Sequence, residues 1–270
     1  MVKKVAFIGA GSMAEAIIAG MVNTNYLRSN QIYVSNKVNK ERLAALKDKY
    51  GIKGSLKKVE VIQEADIIVL ATKPADVGNA ILDCKEYIQE NQLVVSVVAG
   101  ISTNFIEKRI GKNVAVIRSM PNTSATIGFS ATAICKGKFA TDRHIAIAEQ
   151  LFKAIGTVSV VEEEQMHIVT GISGSGPAYV YYLVEAMEKA AQAEGLSEDV
   201  AKQLITQTII GAGQMLKYSK EPVSVLRENV TSPNGTTAAG LQTLKDYHFE
   251  EAVINCVKSA TKRSIELGKE

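Results

Sequence analysis

The sequence predicts an α/β fold in two parts: an N-terminal doubly wound sheet and a C-terminal region composed only of helices. In the first part, short apolar runs rich in β-branched residues alternate with amphipathic segments, which is typical of repeated strand–helix units. After residue 161 the strand pattern stops, and helical periods continue to the end of the chain. We therefore expect one domain at residues 1–161 and an all-α domain at residues 162–270.

The predicted strands of the first part are short, and those that are apolar throughout suit parallel strands covered by helices on both faces. We expect strands at Val5–Ile8, Ile32–Val34, Ile67–Ala71, Leu93–Val98 and Val114–Ile117. Amphipathic periods predict helices at Met13–Val22, Lys40–Tyr50, Pro74–Ile88 and Asn104–Ile110. Two further strands and a helix are expected in "GFSATAIC", "VSVV" and "DRHIAIAEQLFKAI". The later helices are broken at "SGSGP", "EGLS" and "VTSPNGTT".

Composition and charge limit the classes of function. A chain of 270 residues, 46% of them hydrophobic, can bury the cores of two modest domains. Its formal net charge of +3 is dispersed, which gives nucleic-acid binding little support, and no apolar run reaches the ~20 residues of a membrane span. The three cysteines and three histidines are scattered, which indicates free thiols and no metal site. A strand-like run at the N-terminus leaves no room for a signal peptide, so we expect a cytoplasmic protein.

The stretch "VAFIGAGSMAEAI" has the pattern of a dinucleotide-binding turn between a strand and a helix. Gly9 permits the tight turn, Gly11 lets the backbone approach a pyrophosphate, and Ala14 allows the helix to pack closely on the strand. The helix begins with free amides that attract the anion. Because strand, turn and helix agree with the glycine spacing, we predict a Rossmann-type domain rather than a tight turn without a ligand.

The end of the second predicted strand indicates which cofactor binds. An NAD site usually has an acidic residue there, whereas this chain offers Ser35, Asn36 and Lys37, with no carboxylate before Glu41. A cation beside an amide suits the 2′-phosphate of NADPH, although a solvated helix start explains Lys37 as well. We therefore predict NADPH, with NADH as the alternative.

Three later strand ends lie at the same edge of the predicted sheet, where folds of this class bind ligands. Two of them, "ATKP" and "VVAG", are expected to contact the rest of the cofactor through Ala71, Thr72, Lys73, Pro74, Val97, Val98 and Ala99. The third, "IRSMPNTSATIG", combines a charge, a proline and polar side chains where a nicotinamide is expected. We expect Arg118 to be structural and the pocket floor to be formed by Met120, Pro121 and Asn122.

Two turns in the helical region carry glycines and hydroxyl groups before a predicted helix start. In "SGSGP", Pro177 suits the first helical turn, and the small residues before it are expected to expose unpaired amides that bind an anion. These residues are Ser173, Gly174 and Ser175. The stretch "ENVTSPNGTTAAGLQTL" repeats the arrangement, because Asn229, Thr231, Ser232, Thr236 and Thr237 precede another helix. We predict that both turns bind a small carboxylate; the alternative is two ordinary turns between helices.

Together these stretches resemble one family. The blocks "FIGAGSMAEAI", "ATKP", "RSMPNTSATIG", "SGSGPAY" and "VTSPNGTTAAGL" occur in the order and approximate spacing of the pyrroline-5-carboxylate reductases. The resemblance implies NADPH-dependent reduction of (S)-1-pyrroline-5-carboxylate to L-proline, the last step of proline biosynthesis, by hydride transfer to a C=N bond. It also implies that the helical domain interlocks two subunits, in homodimers that often form larger rings. The helix after Pro177 is then a dimer interface, with an apolar stripe buried between subunits: Val180, Leu183, Val184 and Met187.

Carried over by position, the resemblance assigns site residues in both domains. It places the cofactor on the first turn and the second strand end, at Ile8, Gly9, Ala10, Gly11, Ser12, Met13, Asn36 and Lys37. It also assigns Ala71–Pro74 and Val97–Ala99 to the cofactor. The implied substrate residues are Glu163, Asn229, Thr236 and Thr237, with Ser232 nearby. Thr237 is the implied catalytic residue, beside the reacting nitrogen.

Two positions depart from the family pattern. Asn234 and Gly235 stand where the family usually has two glycines; asparagine tolerates the left-handed conformation, so we expect the loop to keep its form. Near the start of a short helix, Lys57 or Lys58 replaces an asparagine, and the contact made by that asparagine is therefore not predicted for this chain.

Two other functions compete with this one. β-Hydroxyacid dehydrogenases share the architecture, but this chain has Val180 and Val184 where they have a lysine and an asparagine. Oxidising an alcohol needs a base, whereas a protonated imine needs only a hydride and a held carboxylate, so these valines favour C=N chemistry. The second rival is a protein that binds NADP(H) and reports its redox state without turnover. It fits the phosphate-site residues equally well, and only the C-terminal substrate motifs oppose it.

Overall fold

The computed structural model describes residues 2–268 and contains two compact units. One unit comprises the chain up to Pro177 together with the segment that begins at Lys258, and the other comprises Ala178–Val257. The predicted domain division at residues 161 and 162 lies inside the first unit and stays a prediction. Within residues 2–268, no helix combines the length and apolar character needed to cross a bilayer.

An eight-stranded sheet forms the centre of the first unit. Its strands are β1 (Val5–Ile8), β2 (Ile32–Ser35), β3 (Lys53–Ser55), β4 (Ile67–Leu70), β5 (Leu93–Ser96), β6 (Ala115–Met120), β7 (Ser130–Lys136) and β8 (Gly156–Val160). They lie in the order β3-β2-β1-β4-β5-β6-β7-β8, and every neighbouring pair is parallel except β6 and β7. The chain order reverses beside β1, so the carboxyl ends of β1 and β4 form the place where such sheets bind ligands.

Six helices accompany the sheet: α1 (Ser12–Asn23), α2 (Lys40–Tyr50), α3 (Lys58–Ile62), α4 (Pro74–Leu82), α5 (Thr103–Ile110) and α6 (Asp142–Lys153). Alternate residues of β1 belong to two separate buried clusters, with Val5 and Phe7 in one and Ala6 and Ile8 in the other. Residues of α1, α2 and α6 complete the first cluster, and residues of α3, α4 and α5 complete the second. Both faces of the sheet are therefore covered, which explains why its strands are apolar throughout.

The rest of the chain is helical. It contains α7 (Met166–Val169), a π-helical segment (Thr170–Gly174), α8 (Gly176–Ala193), α9 (Glu198–Tyr218), α10 (Val223–Asn229), α11 (Thr236–Asp246) and α12 (Phe249–Leu267). Single 3₁₀ turns occur at Ser29–Gln31, Lys85–Tyr87, Thr123–Ile127 and Glu163–Gln165. The predicted fold class, a doubly wound α/β sheet followed by helices, is confirmed.

Three details differ from the predictions. The edge strand β3 was not expected, because its sequence KGS has no apolar run and its residues pair with β2 through the backbone. The helix predicted at Pro74–Ile88 ends at Leu82, since the chain turns at Asp83 before the 3₁₀ turn. The strand predicted to reach Val98 ends at Ser96.

The break expected in the helix at "SGSGP" is also wrong. The backbone stays helical from Met166 onward and widens into π-type hydrogen bonding at Thr170–Gly174, where the Ser175 N–H donates to Thr170 O at 2.8 Å. The Ser175 amide is therefore not an unpaired group at a helix start. Gly174 has a packing role in this turn, because a Cβ there would lie 2.6 Å from Met120 Cε.

Candidate functional site

The turn between β1 and α1 requires glycine at its first position. Gly9 has φ +112°, a conformation that other residues rarely adopt, and its N–H donates to Ser35 O at 2.9 Å. A Cβ on Gly9 would lie 2.3 Å from Ala71 O. The turn is thus held between the ends of β2 and β4, and its backbone comes closer to β4 than a side chain permits.

Gly11, later in the same turn, leaves the first backbone amides of α1 accessible to a ligand. Gly11 is the N-cap of the helix and provides no side-chain cap, and a Cβ built on it meets nothing within 4 Å. Ala14 is fully buried against the sheet, as the fingerprint predicts. The first amides of a helix have no intrahelical partner and carry partial positive charge, so this open end suits a pyrophosphate.

A cleft of about 340 Å³ begins at this turn and crosses the carboxyl ends of β1, β2 and β4. It brings together nine of the predicted cofactor residues, Ile8, Gly9, Ala10, Gly11, Asn36, Lys37, Ala71, Thr72 and Lys73. The other predicted cofactor residues do not line it: Ser12, Met13, Pro74, Val97, Val98, Ala99, Met120, Pro121 and Asn122. Those residues belong to the helix starts and to the ends of β5 and β6.

Two hydroxyl oxygens in the cleft have no hydrogen-bond partner. Ser35 Oγ and Thr72 Oγ1 are buried and unsatisfied in the described part of the chain, and both residues line the cleft. A buried hydroxyl without a partner costs free energy, so these atoms are suited to bind a polar ligand. Their position favours a ligand that extends from the end of β2 to the end of β4.

The outer end of the cleft carries several charges. Asn36 Oδ1 accepts from the backbone of Val38 and Asn39, at 3.3 and 3.2 Å, which fixes the turn after β2 and leaves Lys37 exposed. Lys58 Nζ forms an ion pair with Asp83 Oδ2 at 2.6 Å. The hydrogen bond from Lys58 holds the pKa of the Asp83 carboxyl below its usual range, and the Lys37 ammonium acts in the same direction.

An ion-pair cluster that was not predicted from the sequence contacts the backbone of the turn between β1 and α1. Arg42 donates from Nε to Ala10 O at 2.9 Å and pairs through Nη2 with Glu15 Oε2 at 2.5 Å. Glu15 Oε1 also accepts from Lys49 and Tyr50, both at 2.9 Å. Hydrogen bonds from Lys49 and then Arg42 lower the pKa of the Glu15 carboxyl to about 2. The cluster connects α2 to the first turn of α1.

The end of β6 is joined to the π-helical segment within the first unit. Asn122 Nδ2 donates to Ser173 O at 3.0 Å, and Met120 packs against Gly174. Ser173 Oγ donates to Val169 O at 3.2 Å. The predicted pocket floor and part of the predicted substrate segment are therefore neighbours, although about fifty residues separate them along the chain.

Glu163 has protein partners for both carboxylate oxygens. Oε1 accepts from the Thr103 N–H at 2.7 Å and from Arg118 Nη1 at 3.3 Å, and Oε2 accepts from Thr103 Oγ1 at 2.5 Å. The Arg118 side chain is 3% exposed, so this pair is largely removed from water, which agrees with a structural role for Arg118. The substrate-binding role of Glu163 stays a prediction, and in this structure its carboxylate links β6 to α5.

The remaining substrate candidates belong to the second unit. Asn229 is the last residue of α10, and Ser232 O accepts from the Gly235 N–H at 3.0 Å in the turn before α11. Asn234 has φ +57°, so asparagine adopts the left-handed conformation expected of it. Thr236 and Thr237 are exposed at the start of α11, whose N-cap, Gly235, forms no side-chain capping hydrogen bond. Thr237 is therefore not the capping residue of α11.

Comparison with known proteins gives consistent matches. A family model described as pyrroline-5-carboxylate reductase dimerisation matches residues 163–267, and one described as NADP oxidoreductase, coenzyme F420-dependent, matches residues 4–100. Pyrroline-5-carboxylate reductase 1 of Bacillus subtilis is 48% identical over 268 residues, which cover 99% of this chain and 90% of that protein. The reductase of Staphylococcus epidermidis is 37% identical over 98% of this chain and 97% of its own length.

Solved structures agree with these matches. The pyrroline-5-carboxylate reductase of Coxiella burnetii superposes with a TM-score of 0.92 at 33% identity, over 100% of both chains. The Plasmodium falciparum enzyme, solved with NADP bound, gives a TM-score of 0.90 at 30% identity, over 98% of both chains. Aquifex aeolicus prephenate dehydrogenase, at 14% identity and a TM-score of 0.55, shares the fold alone.

Proposed function

This chain belongs to the pyrroline-5-carboxylate reductase family, and from that membership we propose that it reduces (S)-1-pyrroline-5-carboxylate to L-proline with NADPH. The reaction is the last step of proline biosynthesis and transfers a hydride to the carbon of a C=N bond. The chain is thus an oxidoreductase that acts on a CH–NH group. The observation that carries the proposal is the full-length similarity to named reductases, because it includes both the dinucleotide turn and the helical substrate motifs.

The cleft residues fit the dinucleotide, which supplies the hydride when bound. Our proposal assigns its pyrophosphate to the amides at the start of α1, and its 2′-phosphate to Asn36 and Lys37. The unpaired hydroxyls of Ser35 and Thr72 support this assignment, since both line the same cleft. Residues at the ends of β5 and β6 are proposed to complete the site near the nicotinamide: Val97, Val98, Ala99, Met120, Pro121 and Asn122.

We propose two sets of substrate-binding residues, one in each compact unit. The first set is Ser173, Gly174 and Ser175, together with Glu163. The second set lies before and at the start of α11 and comprises Asn229, Ser232, Thr236 and Thr237. The amides at the start of α11 suit the carboxylate of the substrate, and the exposed hydroxyl of Thr237 suits its ring nitrogen. Rate enhancement then comes mainly from holding the two reactants in one orientation.

The chain is a homo-oligomer with a small-molecule substrate. We propose that the stripe on α8 forms the dimer contact and that dimers assemble into a larger ring. The proposed functional division is a dinucleotide domain at residues 1–161 and a dimerisation domain at residues 162–270, which the start of the dimerisation match at residue 163 supports. A cytoplasmic location belongs to the same proposal, and the free cysteines Cys84, Cys135 and Cys256 fit a reducing compartment.

Steady-state kinetics with both cofactors test the activity. We expect pyrroline-5-carboxylate to be reduced with a larger kcat/KM for NADPH than for NADH. A cofactor titration on the same preparation measures binding independently of turnover. Binding without any oxidation of either cofactor, in protein shown to be folded, contradicts the proposal and supports the redox reporter instead.

The variant Lys37→Glu tests the assigned 2′-phosphate contact. A carboxylate facing the phosphate should lower kcat/KM for NADPH by about ten-fold or more and leave NADH nearly unchanged. An unchanged ratio of the two values removes Lys37 from the site. Lys47→Glu is a matched control, because Lys47 is also exposed, on the following helix, but does not line the cleft.

A further inference from the structure

A second lysine lies at the outer end of the cleft, in addition to Lys37. Lys58 is the first residue of α3, and Asp83 directly follows α4; both line the cleft. Their ion pair, at 2.6 Å from Nζ to Oδ2, joins the start of α3 to the end of α4 at the rim of the cleft. The Lys58 side chain is 16% exposed, whereas that of Asp83 is 55% exposed, so the lysine is the better shielded partner.

The charges at this end are unequal. Asp83 is the carboxylate that Lys58 contacts, and Lys37 also lies close enough to lower the pKa of the Asp83 carboxyl. Lys58 contacts this carboxylate, and Lys37 acts on it electrostatically from the same rim. A lysine ammonium has three donors, and a single carboxylate oxygen at hydrogen-bond distance does not satisfy all of them. This end of the cleft therefore has capacity for a further anion.

The neighbouring Lys57 has a different environment. Its side chain is 75% exposed, it pairs at 3.4 Å with Glu60 three residues later, and it does not line the cleft. Of the two adjacent lysines, only Lys58 is shielded and directed to the ligand side. The location of Lys58 in the cleft is therefore not explained by a generally basic surface around α3.

The geometry points to Lys58 as a specificity-determining residue that binds the 2′-phosphate of NADP(H), with Asp83 pairing with the ammonium in the absence of the phosphate and competing with the phosphate when it binds. The inference rests on the proposed use of this cleft by the dinucleotide. A phosphate monoester carries about −1.5 to −2 charges at neutral pH and three acceptor oxygens, so it is a stronger partner for an ammonium than a carboxylate is. Lys58 and Lys37 then bind the phosphate from two elements.

Calorimetric titration of the full-length chain tests this without turnover. The probes are 2′,5′-ADP, which has the 2′-phosphate, and 5′-AMP, which lacks it, both at one fixed ionic strength. Lys58→Gln should weaken 2′,5′-ADP by about ten-fold and leave 5′-AMP unchanged, because one charge-assisted phosphate contact is lost. Lys58→Arg should keep most of the affinity for 2′,5′-ADP. Lys57→Gln, the matched control, should change neither probe.

Asp83→Asn tests the competing role. Removing the carboxylate should tighten 2′,5′-ADP, because the phosphate no longer displaces a charge from Lys58, whereas 5′-AMP should bind as before. If Asp83→Asn binds 2′,5′-ADP more weakly than the wild-type protein does, Asp83 does not compete with the phosphate for Lys58. Melting temperatures of all variants, measured alongside, separate a binding effect from unfolding.

The outcomes distinguish this inference from the proposed function. If wild-type protein prefers 2′,5′-ADP and Lys58→Gln retains that preference, Lys58 is not a phosphate contact, and the assignment of the cleft to NADPH is unaffected. If wild-type protein binds both probes equally, the NADPH preference itself is wrong.

Discussion

The two compact units differ in where their apolar side chains go. In the sheet unit, every residue of β1, β4 and β5 is buried. In the helical unit, α8, α10 and α11 contain no buried residue, and α9 buries only Ala201 and Ile205. Tyr182 on α8 is 75% exposed. One unit thus completes its core within the chain, whereas the other leaves apolar surface that a second subunit can cover.

A helical hydrophobic period does not distinguish burial within one chain from burial between subunits. The same periodic signal predicted helices in both units, but a period indicates only that one face avoids water. Val180 and Leu183 are 41% and 40% exposed within the single chain, so an intrachain core does not explain these two members of the α8 stripe, whereas Val184 and Met187 are half-buried. Variants that act on one unit alone test this difference between the two units.

The largest effect is expected from Val184→Lys on α8. An unpaired ammonium buried between subunits costs several kcal/mol, so the variant should be monomeric or aggregated. Light scattering measures the mass. Glu185→Lys introduces the same side chain at the next, exposed position and should keep the wild-type mass. A folded Val184→Lys protein of unchanged mass removes this stripe from the interface.

The next largest effect is expected in the dinucleotide turn, where two glycines should respond differently. Gly9→Ala forces a Cβ to 2.3 Å from Ala71 O, and the φ strain alone costs ~1–3 kcal/mol, so both melting temperature and cofactor affinity should fall. Gly11→Ala meets nothing within 4 Å and should keep the melting temperature while weakening cofactor binding. Thermal melts and cofactor titrations on the pair check this. Equal loss of stability in both variants contradicts the distinction.

A smaller effect is expected at the start of α11. Thr237→Ala should lower kcat/KM for the imine by about ten-fold or more, since a hydrogen bond strengthened in the transition state is worth ~1.5–3 kcal/mol. Its melting temperature should change little, because Thr237 caps no helix. Thr243→Ala is the kinetic control, because Thr243 lies on the same helix and its hydroxyl donates to Ala239 O. A lower melting temperature with unaltered kinetics assigns Thr237 to the scaffold.

The smallest effect is expected from Glu15→Gln in the sheet unit. The folded-state pKa of about 2 is below the ordinary 4.5, so the charged form stabilises the fold above pH 4.5, and this contribution disappears as the pH falls toward 2. At neutral pH the variant should be less stable by about 1 kcal/mol, and the difference should vanish in acid. Melting curves from pH 7 to pH 2 check the trend. A constant difference across that range contradicts the pKa.

Local signals predicted most of the fold and the turn at which the candidate cleft begins. Apolar runs and the glycine spacing located β1, α1 and the turn between them, because these features depend on neighbouring residues. The partners of Glu163 could not be found in this way, since Thr103 and Arg118 are 60 and 45 residues away. The ion pair between Lys58 and Asp83 was missed for the same reason, because it depends on how α3 and α4 approach one another.

The π-helical segment sets the rotational phase of the helix that follows it. A π turn contains one more residue than the equivalent stretch of α-helix, and each residue of an α-helix advances the side chains by about 100°. Deleting one residue from Thr170–Gly174 would therefore change by about that angle the phase at which α8 begins at Gly176. The faces of α8 are thus assigned by a single residue inserted upstream, so an interface can be redirected without changing any residue within it.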